Sequence, residues 1–435
     1  MKNNKYFTIT EFGYIARGKK NYKENNTIFL KKKYFKEIEQ FILQNKEERE
    51  NQLSEFITIT YHKNYKKCFQ AKNYVGVIQL KNGITLEILP KIYLENEENN
   101  YERIRKTFLT MLKALKDAPF KKFGITGLKT EKMHLHEVFI SMFLEELFLL
   151  IKRGLRSSYQ RQKKNSKYLK GKLLVGKHVV KNAVHKNRFY VSYDEFNQNR
   201  PENRTIKSTL YYLQKVSYSN ENQKKIKELL FRMDSIKKSK NIEKDLKSCV
   251  TNRLMSHYNN ILLWCEVFLK NKSFTNFKGS SISYALLFPM EKIFEDYIAY
   301  KLKKQNEFPF IRTQHSRYHL AQNIQNENDI FRLIPDIYAR TQDYTFIIDT
   351  KWKLLDREET NYSISQSDFY QLFSYSKIYR KEGKKVVLVL IYPQTKSFRE
   401  IKEFKYHDKE NVKMIVYPVD LNKKEVLNDL QPTQF

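Results

Sequence analysis

The stretch "RLIPDIYARTQDYTFIIDTKWK", residues 332–353, contains an apolar run that continues directly into charged residues. Residues 344–348 have the composition of a buried strand, and such strands normally end in turn residues. Here the strand is followed by Asp349 and Lys351, and a second carboxylate, Asp336, lies upstream behind Pro335. Charged side chains in these positions indicate a functional site at the end of a strand.

The same stretch predicts a β-hairpin. Two extended segments, "FRLIPDIYAR" and "YTFIIDTKWK", are separated by a short polar turn at residues 341–343. A turn centred on residues 342–343 places Asp336 opposite Asp349. Residues two apart on a strand share a face, so Asp349 and Lys351 project together. The other face of the strand end carries Ile348, Thr350 and Trp352. The hairpin therefore brings two carboxylates and one amine to one face.

This arrangement predicts metal-dependent hydrolysis. Two adjacent carboxylates repel unless a cation joins them. Mg²⁺ suits such a pair, because proteins usually hold it with one or two carboxylates, waters and substrate phosphates. A bound metal activates water, and the Lys351 ammonium can orient that water or stabilise developing negative charge. Phosphodiester hydrolysis is the chemistry favoured; the alternative is an exposed hairpin end with an ordinary ion pair.

The flanking segments complete an α/β pattern. "FPMEKIFEDYIAYKLKK" has an apolar stripe at helical spacing, bordered by Glu291 and Glu295. Downstream, "SDFYQLFSYSKIY" is helical in pattern and places Gln371 and Tyr375 one turn apart. "KKVVLVLIYP" is a continuous apolar run typical of a buried central strand. We therefore predict a mixed sheet flanked by helices in the last third of the chain.

The chain has 435 residues, enough for two or three domains. Residues 1–100 are predicted to be β-rich, with a hairpin around Asn82-Gly83. Residues 101–280 are predicted to be mainly helical and basic. A loop near residues 271–283, rich in Ser, Asn and Gly, marks the boundary before the α/β domain at 281–435.

The chain is strongly basic, with 81 Lys and Arg against 48 Asp and Glu, a formal charge of +33. Such a surplus indicates a polyanionic partner, most simply nucleic acid, although a solvated surface in a Lys-rich proteome is an alternative. Residues 151–190 contain thirteen Lys or Arg and no acidic residue. This segment can hold a phosphate backbone or face an acidic protein. Its candidate contact residues are Arg161, Lys163, Lys164 and Lys167.

Other features of the sequence exclude several classes of protein. The three cysteines are far apart and form neither a disulfide framework nor a CxxC metal site, which favours a reducing compartment. The N-terminal residues lack the apolar core of a secretory signal, and no apolar run is long enough to span a bilayer. We expect a cytoplasmic protein without a membrane partner.

The ordered set of a helical Glu, Pro-Asp, Asp-x-Lys and Gln-x-x-x-Tyr over residues 291–375 resembles the PD-(D/E)xK nuclease superfamily in its RecB-like branch. More narrowly, the chain resembles the McrC family, the nuclease subunits of McrBC modification-dependent (5-methylcytosine) restriction systems. This resemblance extends from about Val75 to Pro393 and is less specific in the first seventy residues. It is carried by "GVIQLKNGITLEILPKI", "LKGKLLVGKHVVKNAVHKNRFYVSYDEFNQNRPENRTIK", "FPMEKIFEDYIAYKL", "IPDIYA", "IIDTKWK" and "DFYQLFSYSKIY".

The resemblance implies a role for each matching residue. Asp336 and Asp349 would be metal carboxylates, and Lys351 would be the catalytic lysine. Glu295 would be the helical carboxylate of the superfamily and a further metal ligand, with Glu291 as a less favoured substitute. The pair that follows on the next helix, Gln371 and Tyr375, would support the site or touch the DNA backbone.

The resemblance also implies partners. Chains of this family engage an McrB-like AAA+ GTPase ring through their N-terminal half and stimulate its GTP hydrolysis. No GxxxxGK[ST] motif occurs in this chain, which agrees with GTP being used by a separate polypeptide. We therefore expect a Mg²⁺-dependent endonuclease subunit acting on double-stranded, methylated DNA, with the modified base read by the partner. The alternatives are a stand-alone PD-(D/E)xK restriction or repair nuclease and a non-catalytic DNA-binding adaptor.

Overall fold

A computed structural model describes residues 6–48, 56–80, 84–92, 101–115, 133–249, 255–269, 282–380, 385–407, 412–423 and 425. The chain divides into two compact units. The first combines residues 1–78, 84–132 and 287–435, and the second combines residues 79–83 and 133–286. The first unit thus contains residues of the predicted N-terminal region together with most of the predicted C-terminal domain.

The N-terminal part is rich in strands, as predicted. Its elements are β1 (Tyr6–Thr10), β2 (Tyr14–Gly18), β3 (Tyr22–Glu24), β4 (Thr27–Lys31), α1 (Lys32–Glu48), β5 (Ile57–His62), β6 (Lys66–Ala71), β7 (Tyr74–Leu80), β8 (Thr85–Leu89) and α2 (Tyr101–Leu112). Five of these strands form a sheet in the order β3-β4-β2-β6-β5. The predicted Asn82-Gly83 turn between β7 and β8 lies outside the described residues.

Strand β8 is buried along its whole length, although its sequence alternates between apolar and polar residues. Its polar residue Glu87 is buried because it forms a two-pronged ion pair with Arg105 of α2, at 2.9 Å from Nε and 2.7 Å from Nη2. The hydroxyl of Thr8 in β1 also donates to Glu87, at 2.7 Å. This carboxylate therefore connects three neighbouring elements of the first unit.

The second unit contains helices and a small antiparallel sheet. Its elements are α3 (Leu135–Lys152), β9 (Ser158–Ser166), β10 (Lys172–Leu173), α4 (Val175–Asn182), β11 (Phe189–Asn197), α5 (Pro201–Val216), α6 (Asn220–Arg232), α7 (Ile242–Lys247) and α8 (Ser256–Leu269). The sheet has the order β10-β11-β9. Most residues of helix α3 are buried. None of the described helices is both long and apolar enough to cross a membrane.

The last third of the chain forms the predicted α/β arrangement. Its elements are β12 (Ile282–Pro289), α9 (Met290–Gln305), β13 (Phe310–Thr313), β14 (Tyr318–Gln322), β15 (Asp329–Leu333), β16 (Ile337–Arg340), β17 (Tyr344–Thr350), α10 (Gln366–Tyr379), β18 (Lys385–Pro393), β19 (Lys402–Lys405) and β20 (Lys413–Val419). A mixed sheet has the order β13-β16-β17-β18-β20-β19, with β17, β18 and β20 parallel. Strand β12 joins a separate sheet in the order β1-β8-β7-β12.

The prediction of one extended segment over residues 331–340 is wrong. The structure divides it into β15, which pairs with β14, and β16, which pairs with β13 and β17. The break falls between Leu333 and Ile337 and includes Pro335, which has no N–H to donate to a ladder. As a result, Asp336 lies just before β16 and outside the regular alternation of the strand.

Helix α10 connects two parallel strands, β17 and β18. A parallel connection must cross from one end of the sheet to the other, and a helix usually supplies the crossover. Strand β18 is buried from Val387 to Pro393 and lies between β17 and β20, so the prediction of a buried central strand is confirmed. The start of α10 follows the carboxyl end of β17, where the charged residues lie.

The ion pair between Glu87 and Arg105 provides a test of this packing. The two side chains are 1% and 8% exposed, so Arg105→Met leaves a buried carboxylate without its cation. We expect a loss of about 3–5 kcal/mol in the free energy of unfolding of the first unit, measured by urea denaturation. Adding Glu87→Gln should recover part of that loss, since it removes the uncompensated charge and keeps an acceptor for Thr8.

The matched control for this experiment is Lys67→Met. Lys67 forms an ion pair with Glu39 in the same unit, but its side chain is 41% exposed. We expect no measurable change in the urea midpoint. Equal losses for Arg105→Met and Lys67→Met would contradict the interpretation that burial makes the first pair important.

Candidate active site

The candidate site lies at the carboxyl end of β17, and the hairpin register brings its two carboxylates together. Ile337 pairs with Ile348 and Tyr338 with Ile347, and the two carboxylates, Asp336 and Asp349, directly flank the last pair of this ladder. The backbone N–H of Thr341 donates to the carbonyl of Tyr344 at 3.0 Å and closes the turn. The predicted register is confirmed.

Asp349 and Lys351 lie on the same face, as the alternation of the strand predicts. The Lys351 Nζ atom is 2.7 Å from Asp349 Oδ2, and the Asp349 side chain is 4% exposed. Burial raises the pKa of the Asp349 carboxyl, and the Lys351 ammonium opposes that rise. Burial lowers the pKa of Lys351, but the charges of Asp349, Asp368 and Asp336 together outweigh it, so the pKa of Lys351 is raised and the amine is charged at neutral pH.

Asp336 is held by the residue between Asp349 and Lys351. Its Oδ2 atom accepts hydrogen bonds from the backbone N–H of Thr350 at 2.8 Å and from the Thr350 hydroxyl at 2.9 Å. Burial and the nearby Asp349 carboxylate raise the pKa of Asp336 to about 6, although the Thr350 bonds lower it. The sequence predicted that Thr350 faces away from the site. The sequence did not indicate that Thr350 holds Asp336, because Asp336 precedes β16 and its side chain reaches across to Thr350.

Glu295, in α9, is the third carboxylate near this pair. Its Oε1 atom accepts from Gln314 Nε2 at 2.6 Å and from Lys292 Nζ at 3.0 Å. Gln314 also donates its backbone N–H to the carbonyl of Asp336 at 3.0 Å. Burial, followed by the charge of Asp336, raises the pKa of the Glu295 carboxyl. Glu291 instead accepts a hydrogen bond from Asn73 Nδ2 at 3.0 Å, which favours Glu295 as the helical carboxylate of the site.

Helix α10 brings three polar side chains toward Lys351. Gln371 Oε1 is 3.5 Å from Lys351 Nζ, and Gln371 Nε2 donates to the Tyr375 hydroxyl at 3.0 Å. Asp368, one turn before Gln371, places Oδ1 3.8 Å from the same ammonium. Its Oδ2 atom accepts from the Tyr392 hydroxyl at 3.2 Å. Asp368 is absent from the predicted set, although its spacing of three residues from Gln371 was a signal for it.

The two aspartates provide a donor set that fits Mg²⁺. The described residues contain no group of three or more His, Cys, Asp or Glu arranged to hold a metal. Mg²⁺ does not need such a group, because one or two carboxylates, waters and substrate phosphates suffice. Asp349 Oδ2 is buried and, apart from its ion pair with Lys351, lacks a hydrogen bond of standard geometry. A buried carboxylate oxygen of this kind beside Asp336 can accept a hard cation.

The predicted basic contact residues belong to the second unit. All four, namely Arg161, Lys163, Lys164 and Lys167, are exposed. Successive side chains of a strand point to opposite faces, so Arg161 and Lys163 of β9 share one face and Lys164 projects from the other. Lys164 Nζ lies 5.3 Å from the centre of the Tyr193 ring. The sequence treated these residues as one patch, whereas the strand separates them.

Comparison with known proteins gives one matching family model and similar solved structures. A family model described as "McrBC 5-methylcytosine restriction system component" matches residues 69–393. No match was found among curated proteins. The structure is similar to a chain of a Thermococcus gammatolerans assembly of McrB AAA+ hexamers with bound McrC, with a TM-score of 0.66, 19% sequence identity, and coverage of 97% of this chain and 96% of that chain. The cryo-EM structure of the Thermococcus gammatolerans McrBC complex gives a TM-score of 0.48 and 18% identity over 71% of this chain and 89% of that chain.

The raised pKa of Asp336 predicts pH-dependent metal binding. A carboxyl with a pKa of about 6 is mostly protonated at pH 5 and mostly ionised at pH 7, and protons compete with a metal for its oxygens. We expect Mn²⁺ or Mg²⁺ to bind roughly tenfold more tightly at pH 7 than at pH 5, with protons released on binding. Isothermal titration in buffers of different ionisation enthalpy measures both quantities.

Two variants sharpen this experiment. Asp336→Asn should weaken metal binding and remove the proton release associated with that residue. Asp343→Asn, at the exposed turn of the same hairpin, should leave both unchanged. Affinity that does not vary with pH in the unmodified chain would contradict the assignment of Asp336 as a metal ligand.

Proposed function

The chain belongs to the McrBC family of 5-methylcytosine restriction system components, and we propose that it is the DNA-cleaving subunit of such a system. The observation that carries this proposal is the group of Asp336, Asp349 and Lys351 at the end of β17. A buried and a half-buried carboxylate at neighbouring positions of one hairpin, next to a charged amine, are suited to phosphodiester hydrolysis. The neighbouring Glu295 and the polar residues of α10 support a site of the PD-(D/E)xK type.

The side chains of this site have distinct tasks in the proposed reaction. Asp336 and Asp349 would hold Mg²⁺, with Glu295 near them, and Thr350 fixes the orientation of Asp336. Mg²⁺, when bound, supplies charge neutralisation and a more acidic water. Lys351 remains charged beside Asp349 and is placed to orient the attacking water or to stabilise negative charge on the phosphate.

Helix α10 restricts where the Lys351 ammonium can go. The ammonium has three polar neighbours, Asp349 of β17 and Asp368 and Gln371 of α10. Gln371 in turn donates a hydrogen bond to the Tyr375 hydroxyl. An ammonium with several acceptors keeps its position when one of them is taken up by another ligand. Gln371 and Tyr375 are therefore proposed as supporting residues, and Asp368 joins them.

The proposed partner is an McrB-like AAA+ GTPase ring. The likeness to a chain of an assembly of McrB hexamers with bound McrC extends over 97% of this chain and supports the proposal. GTP would be used by the ring, and this chain would stimulate its hydrolysis. The substrate would be double-stranded, methylated DNA in the cytoplasm.

The first test of this function targets Lys351. Lys351→Met and Asp349→Asn should reduce cleavage of methylated DNA by roughly 10²–10³-fold or more, because they remove charge that acts at the reacting phosphate. Cleavage is measured with the McrB-like partner, GTP and Mg²⁺. The matched control is Lys353→Met, two residues further on, whose exposed side chain bonds only to the carbonyl of Ser363 among its described contacts.

The GTPase rate of the partner is measured with the same variants. Lys351→Met should stimulate GTP hydrolysis as the unmodified chain does, since the substitution leaves the fold intact. Rapid cleavage by the unmodified chain without any partner would favour the stand-alone nuclease. Stimulation of the GTPase without cleavage under any condition would favour the non-catalytic adaptor.

The second test concerns the basic strand β9. The double variant Arg161→Glu with Lys163→Glu reverses charge on one face, and Lys164→Glu reverses it on the other. If this segment binds DNA phosphates, the double variant should weaken DNA binding and reduce its salt dependence. If it binds the partner, affinity for the ring should fall instead, with a weaker dependence on salt. Unchanged binding to both would identify the segment as solvated surface.

A further inference from the structure

A buried carboxylate of the N-terminal region contacts the residue next to Lys351. Glu11 directly follows β1 and is 2% exposed. The indole N–H of Trp352 lies 3.1 Å from its Oε1 atom and 2.9 Å from its Oε2 atom. The backbone N–H of Lys91 donates to Oε2 at 3.0 Å. Burying a carboxylate is costly unless it is well bonded, so these donors account for a charged residue in this position.

Trp352 lies between two parts of the candidate active site. It directly follows Lys351 in the chain, and its ring packs against Phe294 with 5.4 Å between the ring centres. Phe294 directly precedes Glu295 in α9. The Trp352 indole therefore contacts the helix that carries Glu295, and the Trp352 backbone is joined to Lys351 by a peptide bond.

The backbone at this point is not fixed by regular structure. Strand β17 ends at Thr350, and residues 351–356 have neither helix nor strand. Lys351 donates its backbone N–H to the carbonyl of Ile391 at 2.9 Å, directly after the last residue pair of the β17–β18 ladder. Beyond it, the anchoring of Trp352 determines how the chain leaves the sheet.

We infer that Glu11 is a positioning residue for the active site, which acts through Trp352 to hold the Lys351 ammonium beside Asp349. This inference rests on the proposed nuclease function. The N-terminal region is thereby a part of the catalytic apparatus in addition to any role in binding a partner. The same region holds the start of α9, because Asn73 accepts the backbone N–H of Met290 at 2.9 Å and donates to Glu291 at 3.0 Å.

The chemistry at Glu11 requires an acceptor for two donors. A carboxylate can accept from both the indole and Lys91, whereas a carboxamide has one acceptor oxygen and turns an N–H₂ toward one of the donors. Burial raises the pKa of Glu11 to about 7, opposed by the bonds from Trp352 and Lys91 and by the Lys91 charge, while Glu291 adds to the rise. The ionised form, which accepts both bonds, is therefore the major form above pH 7.

The first experiment compares two single variants of the full chain with the unmodified chain, in the partner complex with GTP and Mg²⁺. Glu11→Gln removes one acceptor, and Trp352→Phe removes the indole N–H while it keeps an aromatic ring. Each should lower the single-turnover cleavage rate by roughly 10–100-fold, because a small displacement of a catalytic group is costly. The DNA concentration at half-saturation and the stimulated GTPase rate should stay unchanged.

The double variant and a matched control test whether one bond carries the effect. Glu11→Gln combined with Trp352→Phe should cleave no more slowly than the slower single variant, since both act on the same contact. Thr8→Val removes a buried hydrogen bond of the neighbouring strand β1, from Thr8 to Glu87 at 2.7 Å, and should leave the cleavage rate unchanged. Equal losses of rate for Thr8→Val and Glu11→Gln would overturn the inference, as would cleavage by Glu11→Gln at the rate of the unmodified chain.

Tryptophan fluorescence tests the contact independently of cleavage. The chain has two tryptophans, so Trp264→Phe leaves Trp352 as the reporter. In that background, Trp352 emission should change with a midpoint near pH 7, and Glu11→Gln should abolish the change. Trp352 emission that Glu11→Gln leaves unchanged at every pH would overturn the inference. If the titration is present but the unmodified chain never cleaves DNA, the contact stands and the proposed nuclease function fails.

Discussion

The repulsion between two neighbouring carboxylates, the half-buried Asp336 and the buried Asp349, is the constraint on which the rest of the site depends. They directly flank the Ile337–Ile348 pair of the hairpin, and burial adds to the cost of charging both. Each neighbouring contact reduces that cost, since Thr350 donates twice to Asp336 and Lys351 pairs with Asp349. Such an arrangement requires a stiff support, which the sheet provides by placing β17 between β16 and β18. A site that carries excess negative charge is suited to accept a cation.

The sequence predicts the parts of this site that depend on local periodicity. The turn at residues 342–343 sets the hairpin register, and the alternation of a strand places Asp349 and Lys351 together. The break before Asp336 was not predicted, because β15 has a separate partner strand and an apolar run gives no sign of which partner it takes. Asp368 contacts Lys351 because α10 packs near the end of β17, and Thr350 contacts Asp336 because the segment before β16 lies beside it. Glu11 is separated from Trp352 by 341 residues, and no local pattern can signal such a contact.

Charge patterning behaves in a similar way. The density of lysine and arginine in residues 151–190 is evident from composition, but composition does not show on which face of a strand each side chain lies. Strand β9 separates side chains that are adjacent in sequence, and Arg161 already lies 3.9 Å from Asp194 on the paired strand. The family resemblance, in contrast, was carried by residues that keep their order along the chain, and the family model over residues 69–393 confirms the family. The fold is similar to that of the Thermococcus gammatolerans chain although only 19% of the aligned residues are identical.

The order of the units along the chain has a consequence for biosynthesis. Residues 133–286 interrupt the first unit, whose residues 287–435 are translated after them. The inserted unit can fold while the ribosome is still at work, whereas Glu11 cannot make its contact with Trp352 until the residues after the inserted unit have been synthesised. Asp336 and Asp349 belong to that later part of the chain, so the carboxylate pair can form only after the inserted unit has been synthesised. A nascent chain that has not yet reached Asp349 therefore lacks half of the carboxylate pair, even when the inserted unit is already folded.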